Sequence, residues 1–263
     1  VIIKIPFYAG GLGKTKGVEK APDKIITKLR ELNCNEDGIK SPINEMEIKV
    51  NNSNIEESQK VIETEMKKIF QDYSCPIILG GDHSITYSTF KAFNQGNCGL
   101  LIFDAHPDLM QEFNPATHEN YLRNLIAEGL NPSNIILLGT RNQDIEEINF
   151  IKKNNIKNFT MKKISYQGIQ EVCSTIMETC NKFDKLYISI DIDSVDPVFA
   201  PGTGHPEIGG LTSRELLYVV HRLKNLKNIK AIDLVELNPD IEEKLTISLG
   251  AKIVNELFGS SPQ

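Results

Sequence analysis

Three short segments carry metal-ligand residue types at usable spacings. "FDAHPD" sets Asp104, His106 and Asp108 at every second position. "SIDIDSVDP" repeats the spacing with Asp191 and Asp193, and Asp196 follows. "GGDHS" adds His83 behind two glycines that let other backbone come close. On an extended strand end, alternate residues point to one side, so each segment should aim its ligands together. Carboxylates gathered at the end of a buried sheet repel one another, and cations must neutralise them. The set His83, Asp104, His106, Asp108, Asp191 and Asp193 exceeds what one ion needs. It fits two ions that share carboxylates. An oxygen-rich set with little imidazole favours manganese over zinc or copper.

Such ligands need a rigid scaffold. "VIIKIPF", "CPIILGG", "GLLIFDA", "NIILLGT", "KLYISID" and "IKAIDLVEL" are continuous apolar runs, the pattern of strands buried on both faces. Helical patterns lie between them. "APDKIITKLREL" opens near Pro22, "SNIEESQKVIETEMKKIFQDY" is amphipathic with acids early and lysines late, and "TSRELLYVVHRLKNL" begins with a hydroxyl cap ahead of Glu215. Strands alternating with helices predict a parallel sheet covered on both faces. Ligands of such sheets collect beyond the carboxyl ends of the strands. Asp82-His83, Asp104 to Asp108, Asp191-Asp193 and Glu236 all follow apolar runs.

The chain has 263 residues, enough for one large α/β domain, and no linker-like stretch or repeat divides it, so residues 1–263 read as a single domain. The apolar fraction of 40% supports a sizeable core, and a net charge of −6 argues against a nucleic-acid partner. No apolar run reaches membrane-spanning length and no export signal opens the chain. Five scattered cysteines without a C-x-x-C pair suit free thiols in a reducing compartment, hence a cytoplasmic protein without a membrane partner.

"YAGGLGKTKG", residues 8–17, has the look of a phosphate-binding loop. The pattern fails on inspection: the required first glycine is Tyr8, a lysine-first variant would need Lys where Ala9 stands, and Gly17 and Pro22 delay the helix that must follow. The nucleotide-binding reading is therefore disfavoured, and Lys14 and Lys16 are expected in solvent.

Together "GGDHS", "DAHPD" and "SIDIDSVDPVFAPGTGHPEIGG" closely resemble the signatures of the ureohydrolase family, the arginase and agmatinase group. The likeness runs in order from "IPFYAGG" to "LVELNP". It implies a three-layer α/β/α sandwich around a mostly parallel sheet of about eight strands, two Mn2+ per subunit, and a homotrimer or homohexamer. Carried over position by position, His83 and Asp108 would hold one ion, His106 and Asp193 the other, and Asp104 and Asp191 would bridge them. Asp108 would also orient the attacking water, His118 would shuttle the proton, and Glu236 would pair with the substrate guanidinium. The intact ligand set favours a working enzyme over a silent assembly subunit.

The resemblance leaves the substrate open between agmatine and arginine, with other guanidino or formimino acids behind them. Arginases resemble one another in a polar Asn/Ser segment that grips a carboxylate. Here "LMQEFNPAT" stands between Asp108 and His118, and the ten-residue spacing is similar to agmatinases. Agmatine, yielding putrescine and urea in polyamine biosynthesis, is the first expectation. Asp144 and Glu147 stand where arginases place acids near the substrate amino group, although a surface-loop role for Asp144 is an equal reading. His205 replaces the Thr usual in "GTGTP". It could hydrogen-bond Glu236 or fill pocket volume. Arg141 is expected to pair with a loop acid, and His221 to be structural.

Overall fold

The computed structural model describes residues 1–258. The six apolar runs form β1 (Ile2–Ile5), β3 (Ile77–Gly80), β4 (Cys98–Phe103), β5 (Ile135–Leu138), β7 (Lys185–Asp191) and β8 (Ile229–Val235). Two three-residue strands, β2 (Glu45–Glu47) and β6 (Lys157–Phe159), complete an eight-stranded sheet in the order β2-β1-β3-β8-β7-β4-β5-β6. Every neighbouring pair is parallel.

The helices are α1 (Ala21–Glu31), α2 (Ile55–Asp72), α3 (Ile85–Phe93), α4 (Tyr121–Ala127), α5 (Ile145–Lys153), α6 (Met161–Gln167), α7 (Ile169–Cys180), α8 (Ser213–Leu223) and α9 (Lys244–Leu257). Local chemistry sets their starts. Pro22 sits in the first turn of α1, the Asn54 side chain accepts the Glu57 N–H to open α2, and Thr212 and Glu215 form a reciprocal capping box on α8. Each such cap is worth about 1 kcal/mol. None of these helices is long and apolar enough to cross a membrane.

Strand residues alternate between two apolar cores. Ile2, Leu101 and Ile188 pack with α1, α6, α7, α8 and α9, whereas Ile3, Leu100 and Tyr187 pack with α2, α3, α4 and α5. Both faces of the sheet are therefore covered, which is why the strands read as unbroken apolar runs.

Register brings the strand ends together. Phe103 pairs with Ile190, Ile190 with Leu234, and Leu234 with Leu79. The next residues, Asp104, Asp191, Val235 and Gly80, thus stand in one row at the carboxyl edge of the sheet, across β4, β7, β8 and β3. These four strands are adjacent and central. The loops after β1 and β5 flank them. Gly81 is required at this edge, since a Cβ there would lie 1.6 Å from the Phe7 carbonyl oxygen.

Candidate metal centre and pocket

Two trios of donor atoms form at this edge: His83, Asp104 and Asp191, and Asp104, His106 and Asp193, with the atoms of each trio within 4.8 Å of one another. Asp104 belongs to both. His83 Nδ1 lies 3.0 Å from Asp104 Oδ2, 3.1 Å from Asp108 Oδ2 and 3.2 Å from Asp191 Oδ2. His106 Nδ1 lies 2.9 Å from Asp193 Oδ2. All six expected ligands meet.

They do not meet by strand alternation, as the spacing suggested. β4 ends at Phe103, so Asp104, His106 and Asp108 lie on the loop beyond it. Side-chain-to-backbone bonds shape this region. Asp104 Oδ1 accepts the His106 N–H, Asp193 Oδ1 the Ala105 N–H, and Asp191 Oδ1 the Asp193 N–H. Asp108 takes a left-handed φ of 53°, and Glu236 one of 64°. Positive φ in a non-glycine residue costs energy and collects at functional sites.

The electrostatics call for cations. Burial raises the Asp108 carboxyl to about 7, with the Asp104 charge adding to the effect. Burial, then Asp193 and Asp104, hold Asp191 well above the usual carboxylate range, and Asp193 is raised by burial and Asp104. Asp104 goes the other way: burial opposes ionisation, but His106 and His83 outweigh it and hold the carboxyl low. His106 is pushed up to about 12, because Asp104 and Asp193 overcome its desolvation. Without metal, the cluster thus holds protons where cations would otherwise sit. Asp104 Oδ2 and His83 Nδ1 are buried, and although they stand 3.0 Å apart neither makes a well-aligned hydrogen bond. A shared carboxylate, orphaned donor atoms and mutual repulsion fit a two-ion centre.

The trios floor a cleft of about 320 Å³ whose wall includes Lys14, Met110, His118, Glu119, Asn142, Asp144, Glu147, His205 and Glu236. Glu236 Oε1 accepts the His83 N–H at 2.8 Å, while its buried Oε2 has no partner. His118 Nδ1 lies 3.6 Å from Glu236 Oε1. Of the two expectations for His205, the hydrogen bond to Glu236 does not form. His205 instead sets its ring 5.2 Å from that of His118 and 6.2 Å from that of His106, centroid to centroid. The glycine-rich loop borders this cleft, with the Gly10 carbonyl accepting the His118 N–H and Lys14, exposed as expected, reaching Glu119 at 3.2 Å.

Asp144 and Glu147 cap α5 reciprocally and still line the cleft. Arg141 departs from expectation. It donates to the carbonyls of Gly139, Asp193, Ser194, Val195, Glu207 and Ile208 rather than to a loop acid, since six backbone oxygens converge on it. It thereby ties the loops after β5 and β7 together. His221 is structural as read, bonding Glu256 at 2.8 Å away from the cleft.

His118 offers a test of these electrostatics. Desolvation lowers its pKa, but Glu236, Asp108 and Asp82 prevail and raise it to about 9. A raised folded pKa stabilises fully below the unfolded value, near 6.5, and this contribution is lost as pH rises through about 9. In metal-free protein, the stability advantage of wild type over His118→Asn should be constant below about pH 6, shrink as pH rises from about 6.5 to about 9, and be gone above that. Urea unfolding measures it, and a pH-independent difference would contradict the assignment.

Several residues around the site went unread in the sequence. Tyr121 and Ser189 contact His83, with Asp233 behind Ser189, and Lys14, Met110, Glu119 and Asn142 line the mouth. Asp233 left a signal: a charge inside the apolar run "KAIDLVEL". The mouth residues left none, because they come from separate loops.

A model of the Arginase family matches residues 1–259. The arginase of Staphylococcus aureus (strain MRSA252) is 35% identical over 226 residues, covering 79% of this chain and 74% of its own. The structure of formimidoylglutamase from Bacillus subtilis superposes with a TM-score of 0.91 at 27% identity, over 98% of this chain and 85% of that one. The agmatine ureohydrolase of Thermoplasma volcanium gives 0.84 at 25% identity, over 97% and 87%.

Proposed function

Since the chain belongs to the arginase family of metal-dependent amidino hydrolases, we propose that it cleaves agmatine to putrescine and urea. The observation that carries the hydrolase reading is the pair of donor trios sharing Asp104 beside the unpartnered Oε2 of Glu236. Two ions held there, taken as Mn2+, would lower the pKa of a bound water and so supply a nucleophile at neutral pH. His83, Asp104, His106, Asp108, Asp191 and Asp193 would hold the ions in this reading. Asp108 orients the water and takes its proton. Glu236 Oε2 receives the guanidinium N–H groups and turns the carbon toward attack. His118 protonates the departing amine, which could not leave as an anion. A cytoplasmic homotrimer or homohexamer and a place in polyamine synthesis belong to the same proposal.

The mouth of the cleft supports agmatine over arginine. Glu147 is buried, and its two oxygens accept only the Leu109 and Asp144 N–H groups. With Asp144 it offers negative potential to a distal ammonium. Among the described residues, Lys14 is the only Lys or Arg in the lining, and Glu119 already pairs with it. A carboxylate tail, as in arginine or formiminoglutamate, would have to draw Lys14 from Glu119. His205 lines the cleft beside His118.

Urea release from agmatine, arginine and guanidinobutyrate by Mn-loaded protein tests the choice. One mismatched charged group typically costs about 1.5–3 kcal/mol, so kcat/KM for agmatine should exceed that for arginine by roughly 10- to 100-fold. The reverse order would transfer the assignment to arginine.

A further inference from the structure

Behind His83, away from the cleft, lies a polar network inside the sheet and its helical cover. Asp233, on β8, is fully buried and accepts three hydroxyl donors: Ser189 on Oδ1 at 2.6 Å, and Tyr187 and Thr86 on Oδ2 at 2.7 and 2.8 Å. Each hydroxyl has one hydrogen. Ser189 spends its own on Asp233, so toward His83 Nε2, 2.9 Å away, Ser189 Oγ can only accept. His83 must then carry its proton on Nε2, where the Tyr121 hydroxyl oxygen stands at 3.0 Å as a second acceptor. Nδ1 faces Asp104, Asp108 and Asp191, and with the ring proton on Nε2 its lone pair is the one available to a metal ion. Thr89 reaches the Tyr187 hydroxyl at 2.7 Å, which can accept from it because its hydrogen is committed to Asp233.

We infer that Asp233 is a remote positioning residue for the metal centre, acting through Ser189 to fix the His83 tautomer that leaves Nδ1 free to ligate. The direction of every hydrogen in the chain follows from the carboxylate at its end. Burying a charged side chain inside a parallel strand is costly, and these three donors lower the cost without removing it. An apolar residue would pack the sheet with less expense. Asp233→Asn reverses the order: an amide N–H aimed at Ser189 makes its hydroxyl turn its hydrogen to His83, which draws the ring proton to Nδ1. Ser189→Ala breaks the same chain one bond nearer and removes only a hydroxyl, so it covers the case of an Asp233 variant that does not fold.

This inference rests on the two-ion reading above, and a test on binding separates the two. Apo-protein is titrated with Mn2+ by calorimetry, and the products are compared by electron paramagnetic resonance. Wild type should take two ions and give an exchange-coupled signal. Removing an outer-sphere partner of a ligating His costs about 10- to 100-fold in affinity. Asp233→Asn and Ser189→Ala should therefore each weaken one ion by that factor and leave the ion of His106 and Asp193 within a few-fold. At sub-saturating Mn2+ they should show the hyperfine pattern of an isolated ion. A merely structural loss would lower both affinities together and would overturn the inference, as would two wild-type affinities in both variants. Wild type that binds no Mn2+ would overturn this inference and the two-ion reading alike.

Discussion

Asp191→Ala should abolish urea release and lower bound Mn2+ from two per chain to one or fewer. The side chain has two tasks. Its Oδ2 faces His83 Nδ1 at 3.2 Å, and its Oδ1 holds the Asp193 N–H at 2.8 Å, which sets the start of the short turn carrying Asp193. Alanine removes a donor from one trio and loosens the other. A lost outer-sphere partner already costs about 10- to 100-fold, so loss of an inner ligand should cost more than 100-fold in affinity and, with the nucleophile gone, over about 1000-fold in rate. The fold should survive. Burial and the neighbouring charges of Asp193 and Asp104 oppose ionisation of Asp191, so truncation relieves repulsion in the metal-free state. Apo-protein melting should be unchanged or slightly raised. Metal analysis and thermal melts check both halves, and full activity in the variant would remove Asp191 from the centre.

Glu236→Gln should bind two ions normally yet lose about 100- to 1000-fold in kcat/KM, the range for a buried charge pair deprived of one partner. Glutamine keeps the volume and, through its Oε1, the bond from the His83 N–H. It also keeps the left-handed backbone, which neighbouring contacts hold: the Glu236 N–H donates to Gly81 O at 2.9 Å. Only the negative charge opposite the guanidinium is lost. Because that charge also faces His118 at 3.6 Å, the variant should lose kcat as well as substrate affinity. Steady-state kinetics with metal analysis measure this. A variant of normal kcat/KM would reduce Glu236 to a strand-end acid.

The parts of this molecule that the sequence disclosed are those with a periodic or a local cause. Strands buried on both faces are apolar throughout, so the six central strands stood out, while β2 and β6, short and partly exposed at the sheet edges, carry no such run. The ligands were legible because each follows a strand and their types are costly without cations. Their geometry was not, since Asp108 reaches the centre by a left-handed turn and not by strand alternation. Arg141 misled for a related reason: a guanidinium beside acids suggests an ion pair, but backbone carbonyls after β5 and β7 take its N–H groups instead. His205 could not be placed because its neighbours, His118 and His106, come from a different loop. The glycine-rich loop proved to be one side of the cleft, where the Gly10 carbonyl accepts the His118 N–H.

The central claim is metal-dependent hydrolysis of a guanidine at the Asp104 centre. Its most direct test is urea release from agmatine by the purified chain, assayed after Mn2+ loading and again after chelation. The account predicts sustained turnover with Mn2+, exceeding that on arginine, and none once the metal is removed. Absence of urea from every guanidine offered to fully Mn-loaded protein, or turnover undiminished in chelator, would contradict it.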